Sequence, residues 1–144
     1  MEMKVCFMGF GSVGHELVKL IDRKREEVKA QYDLTFKVVG IATGRHGILV
    51  DRNGLEPAFA LSGAWGDRVW PSTEENRLKM IHECGAEALV EMSPINRDSG
   101  RPAFDYLETA LTHNMHAITA NKGPVVHAYP RLRDLARRRC RTSR

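Results

Sequence analysis

The chain has 144 residues, 42% hydrophobic and 28% charged, which is enough for one domain with an ordinary buried core. Its apolar runs fall far short of the roughly 20 residues that a bilayer-spanning helix needs, and MEMKVCFMGF lacks the basic, apolar and small-residue regions of a secretory signal. The net charge of +4 is concentrated at the C-terminus: residues 131–144 hold seven arginines against Asp134, leaving residues 1–130 at −2, so nucleic acid is an unlikely partner.

Lys4–Gly9 (KVCFMG) is a short apolar run ending in glycine and predicts a buried strand. From Ser12 the period changes. Val13, Leu17, Leu20, Ile21 and Val28 fall at helical spacing among charged residues, which predicts a helix to about Tyr32. Between strand and helix lies GFGSVG, with Gly9, Gly11 and Gly14 in G-x-G-x-x-G spacing. The first glycine suits a tight turn, the second the approach of a pyrophosphate, and the third helix–strand packing. The free N–H groups of the helix start then face the phosphates. The strand–turn–helix context supports this reading over a glycine-rich turn without a ligand.

Phe36–Ala42 (FKVVGIA) predicts a second strand, followed by Thr43-Gly44-Arg45-His46. A cofactor with a free 2′-hydroxyl usually meets an acid at this strand's end, and none is present. Arg45 suits a 2′-phosphate, which favours NADP over NAD while leaving NAD possible; an ordinary surface arginine explains it equally well. Residues 44–71 predict mostly loop with one short helix. Ser72-Thr73-Glu74-Glu75 is a capping-box start for a helix to about Cys84, ended by Gly85.

Ala88–Met92 predicts a third strand containing Glu91, an acid that must be paired or must face the sheet's mouth, because burying it alone is costly. Ser93-Pro94 turns the chain where a nicotinamide ribose would lie. Ser93 and Asn96 offer a hydroxyl and an amide there, or are simply turn formers. Pro102–His113 predicts a helix and Ala117–Ala120 a fourth strand. A last helix is expected from near Pro130. Asn121 and Lys122 follow the fourth strand, where the ammonium could orient a carbonyl, polarise it or donate a proton, or could bond local carbonyls instead. Cys6, Cys84 and Cys140 lack metal-ligand spacing and read as reduced thiols of a cytoplasmic protein. The alternation predicts one α/β domain, a Rossmann-type doubly wound, mostly parallel sheet over 1–139, with a short basic tail at 140–144.

In order along the chain, GFGSVGHELVKLI, VVGIATGRHGILVDRNGL, ALVEMSPIN, GRPAFDYLETAL and NMHAITANKGPVVHAYPRLRDLA resemble the NAD(P)-binding domain of homoserine dehydrogenase. The ANKGP segment and the acid-Met-Ser-Pro turn are the most specific of these. The resemblance implies an oxidoreductase interconverting L-aspartate 4-semialdehyde and L-homoserine with NADP(H), on the route to threonine and methionine. It implies that Phe10, Gly11, Ser12, Val13 and Gly14 contact the cofactor's pyrophosphate and ribose. It places Ser93 and Pro94 beside the nicotinamide half, and gives Lys122 a part in catalysis or cofactor orientation. The family is homodimeric, and a second domain supplies its substrate pocket and most of the dimer contact. The expectation is therefore a truncated, cofactor-binding part of the enzyme; the alternative is a non-catalytic nucleotide-binding or regulatory module.

Overall fold

All four side chains of the run Val5–Met8 are buried, so this strand needs a covering layer on each face. The computed structural model describes the backbone of residues 1–142 and the side chains of residues 1–138, and it supplies both layers. The chain runs β1 (Glu2–Met8), α1 (Ser12–Arg23), α2 (Arg25–Tyr32), β2 (Thr35–Ala42), β3 (Ile48–Val50) and α3 (Pro57–Ser62). It continues through β4 (Val69–Trp70), α4 (Glu74–Glu83), β5 (Ala88–Glu91), α5 (Ala103–Thr112), β6 (His116–Thr119) and α6 (Lys122–Thr142).

One sheet holds all six strands in the order β4-β3-β2-β1-β5-β6. β2, β1, β5 and β6 are mutually parallel, whereas β3 and β4 run antiparallel at one edge. This is the doubly wound, mostly parallel sheet that the alternation predicted. Successive side chains of β1 alternate between two cores, as the strand period requires. Cys6 and Met8 pack with Val39, Met80, Tyr106 and Leu107 beneath α4 and α5. Val5 and Phe7 pack with Val38, Ile41, Val18 and Trp65 beneath α1 and α3. Each such fully buried apolar side chain contributes about 1.5–3 kcal/mol. Cys6 and Cys84 are free thiols inside the first of these layers.

Residues 44–71 are mostly loop with one short helix, α3, as expected; the strands β3 and β4 among them are unexpected, because with only three and two residues they are too short for a periodicity to show. The helix expected from Ser12 to Tyr32 breaks at Lys24, whose ψ of 4° interrupts the helical path between α1 and α2. α6 is two helical stretches joined across non-helical Ala128: the later one starts at about Pro130, where the last helix is expected, and the earlier one, from Lys122, is unexpected. Of the basic tail expected at 140–144, the backbone through Thr142 continues α6, and residues 143–144 lie outside the described residues. No helix among the described residues is long and apolar enough to cross a membrane.

Candidate functional site

Strand register decides what can meet. Met8 pairs with Ala42 on one side and Glu91 on the other, and Glu91 pairs with Thr119. Four parallel strands therefore end side by side, and the segments that leave them share one rim. The order of the chain reverses between β1 and β5, the place where ligands collect in open α/β sheets. The sequence-predicted groups at Gly9–Gly14, Thr43–Arg45, Ser93-Pro94 and Asn121-Lys122 all follow these strand ends.

The glycine turn leaves β1 at Gly9, whose φ is +94°. A Cβ there would lie 2.6 Å from the Met92 carbonyl oxygen and 2.8 Å from the Ser93 nitrogen, so the turn can hug the start of the post-β5 loop only as glycine. Gly11 is different: nothing lies within 4 Å of the position its Cβ would take. It caps α1 without a side-chain hydrogen bond, and the first bonded amide is that of His15, which donates to Gly11 O at 3.0 Å. The N–H groups of Ser12, Val13 and Gly14 are therefore free at the helix start, beside open space. This is a cradle that fits a pyrophosphate. A Cβ on Gly14 would come within 2.8 Å of the Phe10 ring. That ring stacks on His15 at 4.2 Å and packs, partly buried, against the core layer under α1, so Phe10 anchors the turn.

Thr43 closes the turn after β2. Its hydroxyl donates to Gly47 O at 2.8 Å and accepts from His46 N at 2.7 Å, so the buried side chain is committed locally. Arg45 stands exposed at the tip of this turn.

After β5, Glu91 answers the question its burial poses. It is fully buried, and its Oε1 accepts from Ser93 N at 2.8 Å and from the Ser93 hydroxyl. Its Oε2 accepts from the Thr119 hydroxyl at 2.6 Å. The acid is thus paired with donors and ties the ends of β5 and β6 together. Ser93 keeps acceptor capacity, while Asn96 spends its Oδ1 on Asp98 N and Ser99 N in its own loop.

Asn121 is buried and holds both neighbours: its Nδ2 donates to Ser93 O at 3.2 Å and its Oδ1 accepts from Gly123 N at 3.1 Å. The second bond caps α6, and Pro124 fits a first helical turn. The Asn-Lys-Gly-Pro frame is therefore a helix start pinned to the post-β5 turn. Gly123 also permits backbone contact, since a Cβ there would lie 2.9 Å from Asn96 O. Lys122 is left exposed between these fixed neighbours, and among the described residues it forms no ion pair.

A cleft of about 270 Å³ opens on the α4/α5 side of the rim, walled by the ends of β1, β2 and β5. Three side chains in it are not expected site residues from the sequence: Glu74, which reads there only as part of a helix cap, Arg77 and Tyr106. The Tyr106 hydroxyl donates to Glu74 at 2.8 and 2.9 Å, and Arg77 Nη1 donates to Glu74 at 2.5 Å. Burial first, and the Glu74 carboxylate second, push the Tyr106 phenol well above its usual range. No local pattern marks these residues, because α4 and α5 bring them together from 29 and 32 positions apart in sequence.

A parallel sheet that reverses order beside a glycine turn and a free helix start defines a Rossmann-type dinucleotide-binding domain. The family described as "Homoserine dehydrogenase, NAD binding domain" matches residues 9–143, and the chain belongs to that family. It is 30% identical over 141 residues to the NAD(+)-dependent homoserine dehydrogenase of Pseudomonas canavaninivorans, covering 94% of this chain and 40% of the relative. Identity to the homoserine dehydrogenase of Methanocaldococcus jannaschii is likewise 30% over 141 residues, covering 94% and 41%. The chain spans about two-fifths of the length of the curated relatives it matches. Among solved structures, homoserine dehydrogenase from Thermoplasma acidophilum superposes with a TM-score of 0.77 at 25% identity, covering 97% of this chain and 41% of that one. A hyperthermophilic archaeal homoserine dehydrogenase in complex with NADPH gives 0.78 at 22% identity, covering 97% and 42%, and shares the fold.

Proposed function

We propose that this chain binds NADP(H), and accommodates NAD(H), as the cofactor part of a cytoplasmic oxidoreductase that interconverts L-aspartate 4-semialdehyde and L-homoserine. The observation that carries the reading is the shared rim: the free helix start beside Gly11 lies in line with the turns after β2, β5 and β6. The amides of Ser12 to Gly14 would hold the pyrophosphate, with Gly9 and the Phe10 backbone shaping the turn. Thr43 would meet the adenosine ribose through its backbone, and Arg45 would offer a cation to a 2′-phosphate. Ser93 and Pro94 would border the nicotinamide ribose, and Asn121 would fix the segment that carries Lys122.

When bound, the cofactor supplies a hydride to the aldehyde carbon. The oxygen then needs a proton, and Lys122 is the group we assign to orient that oxygen and to deliver the proton. Its ammonium stands on a helix start that Asn121 locks to Ser93, so a flexible side chain works from a rigid base. Substrate binding would draw on a second domain, as in the family, and homodimerisation would too.

Titrating the purified chain with NADPH and with NADH while following nicotinamide fluorescence tests the binding claim, and adding aspartate semialdehyde tests the chemistry. A saturable fluorescence change is expected. Its absence with both cofactors would reject the reading, whereas binding without loss of reduced-nicotinamide absorbance would leave the chain as a dinucleotide-binding module.

A further inference from the structure

The end of β2 carries no carboxylate, yet the cleft beside it contains one. Glu74, from the first turn of α4, lines the same cleft as Thr43 and Gly44, and so does Arg77 one turn further on. We propose that Glu74 and Arg77 together read the 2′-position of the cofactor's adenosine ribose; this rests on the dinucleotide reading above.

The chemistry of the pair is two-sided. A carboxylate accepts a hydrogen bond from a 2′-hydroxyl and repels a 2′-phosphate, while a guanidinium does the reverse and can bind phosphate through two N–H groups. Both groups are held in place. Glu74 is gripped by the Tyr106 hydroxyl from α5 as well as by Arg77, and its side chain remains 58% exposed, open to a ligand. Arg77 is only 15% exposed, and its Nη2 donates to Ser72 O at 3.3 Å. Ser72 in turn donates to Thr43 O at 2.5 Å, which ties the arginine to the end of β2 where the ribose would lie. With NADH, Glu74 accepts from the 2′-hydroxyl and Arg77 stays paired to it. With NADPH, Arg77 shifts its bonds to the phosphate and Tyr106 keeps Glu74 occupied. The two charges of the pair offset each other, so the pair by itself discriminates weakly and Arg45 tilts the unmodified chain toward NADPH.

The test is the ratio of NADPH to NADH dissociation constants, measured by fluorescence for the unmodified chain, Glu74→Gln and Arg77→Gln. ADP-ribose and its 2′-phosphorylated form serve as competitors that lack the nicotinamide. Glu74→Gln should move the ratio toward NADPH and Arg77→Gln toward NADH, each by roughly five- to tenfold, the effect of one charge near a protein surface. The two competitors should follow the same shifts. Circular dichroism establishes that each variant is folded, and Tyr106→Phe, which keeps both charges, should move the ratio less than either. Ratios unchanged in folded variants, with both cofactors still bound, would overturn this inference and leave the proposed function standing. An unmodified chain that binds neither cofactor would overturn both.

Discussion

Gly9 and Gly11 stand two residues apart under different constraints. A side chain on Gly9 meets backbone at 2.6 Å and a positive φ, whereas one on Gly11 meets nothing. Gly9→Ala should therefore cost about 1–3 kcal/mol of stability, read as a lower midpoint of urea unfolding. Gly11→Val should leave that midpoint almost unmoved and weaken NADPH binding more than tenfold, because the branched side chain occupies the space beside the free amides. Full NADPH affinity in folded Gly11→Val would count against the cradle. Glu91 is constrained in another way, since all its bonds at this site come from donors. Glu91→Gln must turn its amide N–H₂ either toward the Ser93 N–H and hydroxyl or toward the Thr119 hydroxyl, groups that donate to the carboxylate, and should destabilise the chain by about 1–3 kcal/mol. A midpoint equal to that of the unmodified chain would show that the network has no structural weight. The spacing of the glycines was legible in sequence; the reason for each was not, because Met92 and Phe10 reach them only in the folded chain.

Elements explain which parts of the fold could be read in advance. β1 and β2 are seven and eight residues of apolar and β-branched sequence, and their type follows from composition. β3 and β4 exist because β2 offers them an edge to pair with, and a tertiary cause of that kind leaves no local pattern. The α6 start shows the opposite case. Asn121, Gly123 and Pro124 do carry a cap signal, but Pro130 carries a competing one, and the kink at Ala128 lets both be used. Between α4 and α5, the Tyr106–Glu74 bond makes a pH-dependent link. An unfolded tyrosine loses its proton near pH 10, while folded Tyr106 retains it to higher pH. The stability tied to this proton is complete below about pH 10 and is lost as pH rises further. The advantage of the unmodified chain over Tyr106→Phe, measured by urea unfolding at pH 8 and pH 10.5, should shrink at the higher pH. An advantage that stays constant or grows would contradict the link.

At the scale of the whole molecule, the sheet does one thing for function: it brings four strand ends to one edge and reverses its order there. That arrangement was readable, because it depends only on alternation and on parallel crossovers. The side wall built from Glu74, Arg77 and Tyr106 was not, because it depends on how α4 and α5 pack. The most direct measurement of the central claim is the backbone amide spectrum of the isotope-labelled chain during titration with NADPH. The account predicts saturable shifts together at Gly9–Gly14, Thr43–Gly44, Ser93 and Asn121–Gly123. The opposite edge, where β1, β2, β5 and β6 begin at Glu2, Thr35, Ala88 and His116, should stay unmoved. No saturable change, or shifts centred on that opposite edge, would contradict it.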